Sequence, residues 1–251
     1  MNFSNKGFSF IIYSIDKNTL LEIKSILGFG NIYYDALNIK WRYAVENRDD
    51  FYLILLILNG NLVLIHRYHN FINVVLPKGE FNQRFFKGKI FHKQINILFY
   101  TTLPALNNRW FAGFTDAEGH FGLPIELGRL FISHYISITF EIGKNGNRWL
   151  FLYLKELFKG GILFLLRTKL EKKSDQHNRI IFKGSKLGSN PVTLLFSYFD
   201  SYPLITKLNI YNEWRSVHNS LLNKEHLDIN KLSDLVERCE SLNNKSNFIK
   251  K

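Results

Sequence analysis

The sequence predicts an α+β protein built from two related units, each an antiparallel sheet with helices packed on one face. Three observations carry this. The order strand, helix, strand, strand, helix, helix can be read twice along the chain. Apolar residues make up 46% and aromatics 16%, including 23 Phe and 12 Tyr, which excludes a disordered polymer. The 251 residues suffice for one large domain or two compact ones.

In the first unit, Phe8 to Tyr13 alternates as a strand. Lys17 to Leu27 carries apolar residues at Leu20, Leu21, Ile23, Ile26 and Leu27 and stops on Gly28-Phe29-Gly30, the pattern of a helix and its glycine cap. Ile32 to Tyr34 and Ile39 to Val45 read as strands joined by the turn Asp35 to Asn38. Arg48 to Leu58 and Val63 to Val75 read as two further helices.

The second unit repeats the order. Ile136 to Ile142 is a strand, and Arg148 to Phe158 is a helix stopping at Gly160 and Gly161. Ile162 to Thr168 and Arg179 to Lys183 are strands; Pro191 to Phe199 and Leu204 to Leu222 are helices. Leu27 to Gly30 parallels Phe158 to Gly161, and Ile65-His66-Arg67 parallels Ile205-Thr206-Lys207. Leu53 to Leu58 and Leu194 to Phe199 are expected in equivalent buried places. The predicted domains are 1–76, a first and truncated unit; 77–107, a linker; 108–222, the complete unit; and 223–251, a polar tail with one short amphipathic helix.

The segment Asn108 to Glu126 breaks the symmetry, because nothing equivalent precedes the first strand. Within it, Ala112 and Gly113 have almost no side chain and suit a close helix crossing, while Trp110, Phe111 and Phe114 fill a core. Gly119 is expected to turn left-handed and stop the helix. Asp116 and Glu118 then sit in the last turn, at the negative end of the dipole, where acids are unfavourable and a cation is expected. Mg²⁺ takes one or two carboxylates with phosphate oxygens and water, and it promotes phosphodiester hydrolysis.

Residues Phe111 to Gly119, flanked by Trp110 and Phe121, resemble the LAGLIDADG motif of homing endonucleases, and the repeats on either side resemble that family's unit. The resemblance implies two curved sheets forming a basic saddle on nucleic acid. It also implies two such helices, each giving one acid to the catalytic metals. Glu118 stands at the metal-binding acid position, with Asp116 beside it as a further catalytic candidate. Lys207, and Arg67 by the repeat, fall near a basic residue that steadies the scissile phosphate. The first unit departs from the pattern: Met1 to Lys6 cannot form the helix, and no acid precedes Asp16. Either the second helix comes from another chain or an upstream segment, or cleavage has been lost and binding kept.

Thirty-three Lys and Arg against 21 Asp and Glu give a net charge of +12, pointing to a polyanionic partner. The candidate nucleic-acid contacts are Lys17, Lys40, Arg42 and Arg67 in the first unit, and Arg129, Lys144, Arg167, Lys169, Lys172, Lys173, Arg179 and Lys183 in the second. Such residues on a β-ribbon can meet phosphates or guanine edges.

Cys239 alone excludes a disulfide framework and a thiolate zinc site. His66 and His69 make no H-E-x-x-H pattern, and Gly28-Phe29-Gly30 is no dinucleotide fingerprint. No charge-free run is long enough to span a membrane, and Met1 to Ile12 is neither signal nor transit peptide. The wealth of Phe, Ile, Asn, Lys and Tyr beside only 5 Pro suggests an AT-rich organellar gene, so a mitochondrial matrix or plastid location is expected.

Three functions compete: an intron-encoded DNA endonuclease using Mg²⁺, a non-cleaving family member with no cofactor, and an unrelated basic scaffold. The absent first motif favours the second. The expected partner is then a structured organellar RNA, as for a maturase or a ribosome-associated protein, with other proteins of a ribonucleoprotein and with DNA as the alternative.

Overall fold

The structure, a computed structural model, describes residues 2–4, 7–72, 98–126, 131–132, 135–142, 148–167, 176–183 and 190–248, with side chains for 9–72, 98–124, 148–162, 181–182 and 191–244. The chain divides into two compact units, Met1–Leu103 and Pro104–Lys251.

The first unit runs β1 (Asn2–Ser4), β2 (Gly7–Ser14), α1 (Lys17–Leu27), β3 (Asn31–Asp35), β4 (Lys40–Val45), α2 (Arg48–Leu58) and α3 (Ile65–Asn70). Its antiparallel sheet has the order β1-β2-β4-β3. The Asp16 carboxylate accepts from the backbone N–H groups of Asn18 and Thr19 and so starts α1, and Gly28, at φ 77°, ends it. The Asn47 side chain starts α2 in the same way. Leu20, Tyr43, Val45, Phe51, Ile54, Leu55 and Phe71 form the core between sheet and helices. Of the helix expected over Val63 to Val75, the regular part is Ile65–Asn70, and 73–75 lie outside the described residues. Most of the expected linker, 77–97 of 77–107, lies outside them too.

The second unit runs α4 (Trp110–Glu118), β5 (Gly119–Gly122), the small β6–β7 hairpin (Ile125–Glu126, Phe131–Ile132), β8 (Tyr135–Ile142), α5 (Arg148–Leu157), β9 (Ile162–Arg167) and β10 (Gln176–Lys183). It continues through α6 (Asn190–Ser201), α7 (Leu208–Leu222) and α8 (Ile229–Phe248). The main sheet is β5-β8-β10-β9, the same topology as the first, with β1 in the place of β5. An aromatic cluster of Phe111, Phe121, Phe158, Phe182, Tyr198, Phe199, Tyr211 and Trp214 fills its core.

Two expectations need correction. The tail is one 20-residue helix, α8, packed against α7 and β5 through the buried Leu235, Cys239 and Leu242. Leu53 to Leu58 is buried only at Ile54 and Leu55 on its core side, while Leu53, Leu56 and Ile57 are exposed. Among the described residues no helix is long and apolar enough to cross a membrane.

Candidate active site at the end of helix α4

Helix α4 begins without a side-chain cap from its own first residue, Arg109. Its free N–H groups are met from elsewhere. Asn108 Oδ1 accepts from the Trp110 N–H at 3.1 Å, and the Tyr198 hydroxyl of α6 accepts from the Ala112 N–H at 3.1 Å while donating to the Asn108 carbonyl at 2.7 Å. Burial pushes the Tyr198 phenol above its ordinary range, so it stays a neutral donor. Phe111 packs against Phe158, Tyr198 and Phe199, with centroids 4.5, 5.6 and 5.9 Å away.

The C-terminal end departs from the sequence reading. Gly119 is extended, with φ −71° and ψ 149°, so no left-handed turn ends the helix and the chain passes straight into β5. Glycine is required here for space, since a Cβ would stand 2.5 Å from the Thr115 carbonyl oxygen. Gly113 does not make the expected close crossing: it is exposed, and a Cβ there would have no atom within 4 Å.

The chain itself supplies a cation at this helix end. Lys207, only 6% exposed, donates from Nζ to the Thr115 carbonyl at 3.1 Å and the Gly119 carbonyl at 2.7 Å. An ammonium on the last carbonyls satisfies them and opposes the dipole. Asp116 returns the favour to the residues before α7. Its carboxylate accepts from the N–H groups of Ile205 (2.8 Å), Thr206 (3.1 Å) and Lys207 (3.0 Å) and from the Thr206 hydroxyl (2.8 Å). Each element thus caps the other.

This arrangement gives two of the three catalytic candidates structural contacts. Asp116 is committed to four hydrogen bonds and serves as an anchor for the 204–207 turn. Lys207 is buried against α4, whereas its repeat partner Arg67 is exposed on α3, so the two are not equivalent. Glu118 remains as the exposed acid at the helix end. Among the described residues no group of three His, Cys, Asp or Glu could hold a metal ion. Of the two α4 carboxylates, Glu118 is therefore the one placed to meet a metal, and Mg²⁺ takes one or two carboxylates with phosphate oxygens and water.

Of the basic candidates, Lys17 lies over the Trp41 ring at 4.7 Å, on the helix-covered side where Trp41 packs on the core. Lys40 stands opposite Asp35 in the β3–β4 register, and Arg42 lies over the Tyr33 ring at 5.0 Å. Strand backbone places Arg167 opposite Gln176, Arg179 opposite Thr139 and Phe164, and Lys183 opposite Tyr135. Arg129, Lys144, Lys169, Lys172 and Lys173 lie outside the described residues. Sequence reasoning missed Asn108 and Tyr198. The first had a signal, an Asn two residues before an apolar helix; the second had none, because its contacts span 86 and 90 residues.

Known proteins resemble the chain along nearly its whole length. A model of the LAGLIDADG endonuclease family matches residues 111–218. The chain is 30% identical over 241 residues to the probable intron-encoded endonuclease 4 of Neurospora crassa, covering 94% of this chain and 40% of that protein. It is 23% identical over 236 residues to an uncharacterized cox1 intron-2 37.2 kDa protein of Schizosaccharomyces pombe, covering 93% and 66%. It therefore spans only part of the length of either relative. Among solved structures, its fold is similar to that of the LAGLIDADG homing endonuclease I-GzeII in complex with its DNA target, with a TM-score of 0.66, 18% identity, and 92% and 87% of the two chains covered. It is also similar to I-LtrWI bound to target DNA, with a TM-score of 0.62, 21% identity, and 92% and 85% covered. With the motif helix ending in Glu118 and the same sheet topology in both units, residues 111–218 match the LAGLIDADG endonuclease family and the chain has the fold of its solved members.

Proposed function

We propose that this chain binds duplex DNA through its two sheets and does not by itself cut it efficiently. The observation that carries the second half is the state of the α4 carboxylates: Asp116 is held by the 204–207 turn, so α4 has one acid, Glu118, to offer a metal. Two-metal hydrolysis needs acids from two helices. Cleavage then depends on a second acidic helix, from an upstream segment or another chain.

The DNA targets in the neighbouring structures support DNA over the structured RNA expected from the sequence. The relatives' names, which refer to introns, support an intron-encoded, organellar origin, with the mitochondrion as the expected site.

The test is to incubate the 251-residue chain with supercoiled DNA carrying candidate insertion sites, with Mg²⁺ and with EDTA. Duplex binding without cleavage is expected, with log affinity falling by about 0.9 per phosphate contacted for each unit of log salt. Mg²⁺-dependent cutting by the chain alone, abolished in Glu118→Gln, would overturn the single-acid reading. Preferential retention of a structured RNA over duplex would overturn the choice of DNA.

A further inference from the structure

The two units can be aligned residue by residue from their backbones. Helix α1 is followed by two left-handed residues two positions apart, Gly28 (φ 77°) and Gly30 (φ 84°); α5 is followed by Lys159 (φ 54°) and Gly161 (φ 105°). Tyr33 and Phe164 stand the same number of residues beyond these pairs, each on the edge strand of its sheet. The register of the first sheet then gives the row Tyr13–Arg42–Tyr33, and that of the second gives Thr139–Arg179–Phe164. Aligned on this row, Lys40 to Val45 meets His177 to Phe182, and the arginine is the single identity in the six pairs.

The position differs physically from its neighbours. Tyr43 and Val45 belong to the core under the helices, so strand alternation puts Arg42 on the opposite face. It stands between Tyr13 and Tyr33, which are 45% and 37% exposed, with its guanidinium over the Tyr33 ring. Lys40, two residues away on that face, is opposed by Asp35. A guanidinium seated over a ring is restricted in orientation, and the Arg fork matches guanine O6 and N7 in the major groove.

We propose that Arg42 and Arg179 are a matched pair of specificity-determining residues, reading guanine at two separate positions of a duplex target. This rests on the reading of the protein as a DNA binder.

The experiment is repeated selection of the full chain on a pool of random duplex DNA, followed by sequencing and by affinity measurements on the selected duplex. The wild type is expected to enrich two separated guanines. Arg42→Ala should erase the preference at one and Arg179→Ala at the other, each weakening binding to the selected duplex by roughly 5- to 150-fold while leaving the other guanine intact. Arg42→Lys and Arg179→Lys keep the charge and lose the fork. They should keep the salt dependence and weaken the guanine preference, since an ammonium can reach O6 and N7 but lacks the planar fork. Thermal unfolding of each variant verifies that it folds, and if an Ala variant does not, the Lys variant decides.

Guanine preferences that survive all four substitutions would overturn the inference and leave DNA binding standing. Equal weakening on every sequence, with the salt slope flatter by about 0.9, would make these arginines phosphate contacts and overturn it likewise. Failure of the wild type to retain any duplex would overturn the DNA-binding reading, and this inference with it.

Discussion

Helices α2 and α6 occupy the same step of the two units, yet they meet different surroundings. Ile54 and Leu195 are buried in both, as the repeat requires. The helices part at Ile57 and Tyr198. Tyr198 is buried because α4 lies against it, its hydroxyl holding both Asn108 and Ala112. Ile57 is 48% exposed, with Leu53 and Leu56 beside it, and among the described residues the first unit has nothing corresponding to α4. The same helix thus serves as a cradle in one unit and as an apolar surface in the other. Sequence similarity between repeats reports the shared sheet contact and says nothing of what covers the far side.

The largest expected effect tests this difference directly. Phe111→Ala empties a site enclosed by Phe158, Tyr198 and Phe199 and should cost about 3–5 kcal/mol in urea unfolding. Ile57→Ala removes a side chain already half in water and should cost less than about 1 kcal/mol. Comparable losses would break the comparison and mean that Ile57 is covered in solution.

Capping chemistry explains how much of this was legible. The bounds of α1 and α2 could be read because Asp16, Asn47 and Gly28 act on residues within a turn of themselves. The start of α7 was misplaced by the sequence, at Leu204 instead of Leu208, because residues 204–207 are held as a turn by Asp116 across 89 to 91 residues. The motif itself was legible, along with Glu118 at its end. The uses of Asp116 and Lys207 were not, since an acid and a base near a helix end look alike to sequence whether they meet solvent, metal or each other. Gly113 and Gly119 show the same limit: both are motif glycines, but only the second has a backbone oxygen where a Cβ would go.

That pair gives the next prediction. Gly119→Ala should destabilise the second unit by about 1–3 kcal/mol, because the Thr115 carbonyl cannot move without disturbing the Lys207 contact. Gly113→Ala meets open space in a helix and should stabilise by about 0.5–1 kcal/mol through propensity alone. Thermal unfolding of the two variants distinguishes the effects by sign. A destabilising Gly113→Ala would show that a second helix packs on this face in solution.

The smallest effect separates the two cores by pH. The first unit's core of Leu20, Tyr43, Val45, Phe51, Ile54, Leu55 and Phe71 contains no histidine, whereas His218 is buried in the second beside Phe196 and Trp214. Burial, followed by the nearby Arg215 charge, lowers the His218 pKa below the ordinary 6.5. The folded state therefore binds this proton less readily than the unfolded chain. The stability tied to neutral His218 is present above pH 6.5 and is lost as pH falls through the lowered folded-state value. His218→Phe removes that proton and keeps an aromatic ring in the site. In urea unfolding as a function of pH, the wild type should lose more stability than the variant on going below pH 6.5, and the two should run parallel above it. Parallel curves throughout would mean that the His218 pocket opens to water at little cost, and this part of the contrast between the two cores would fall.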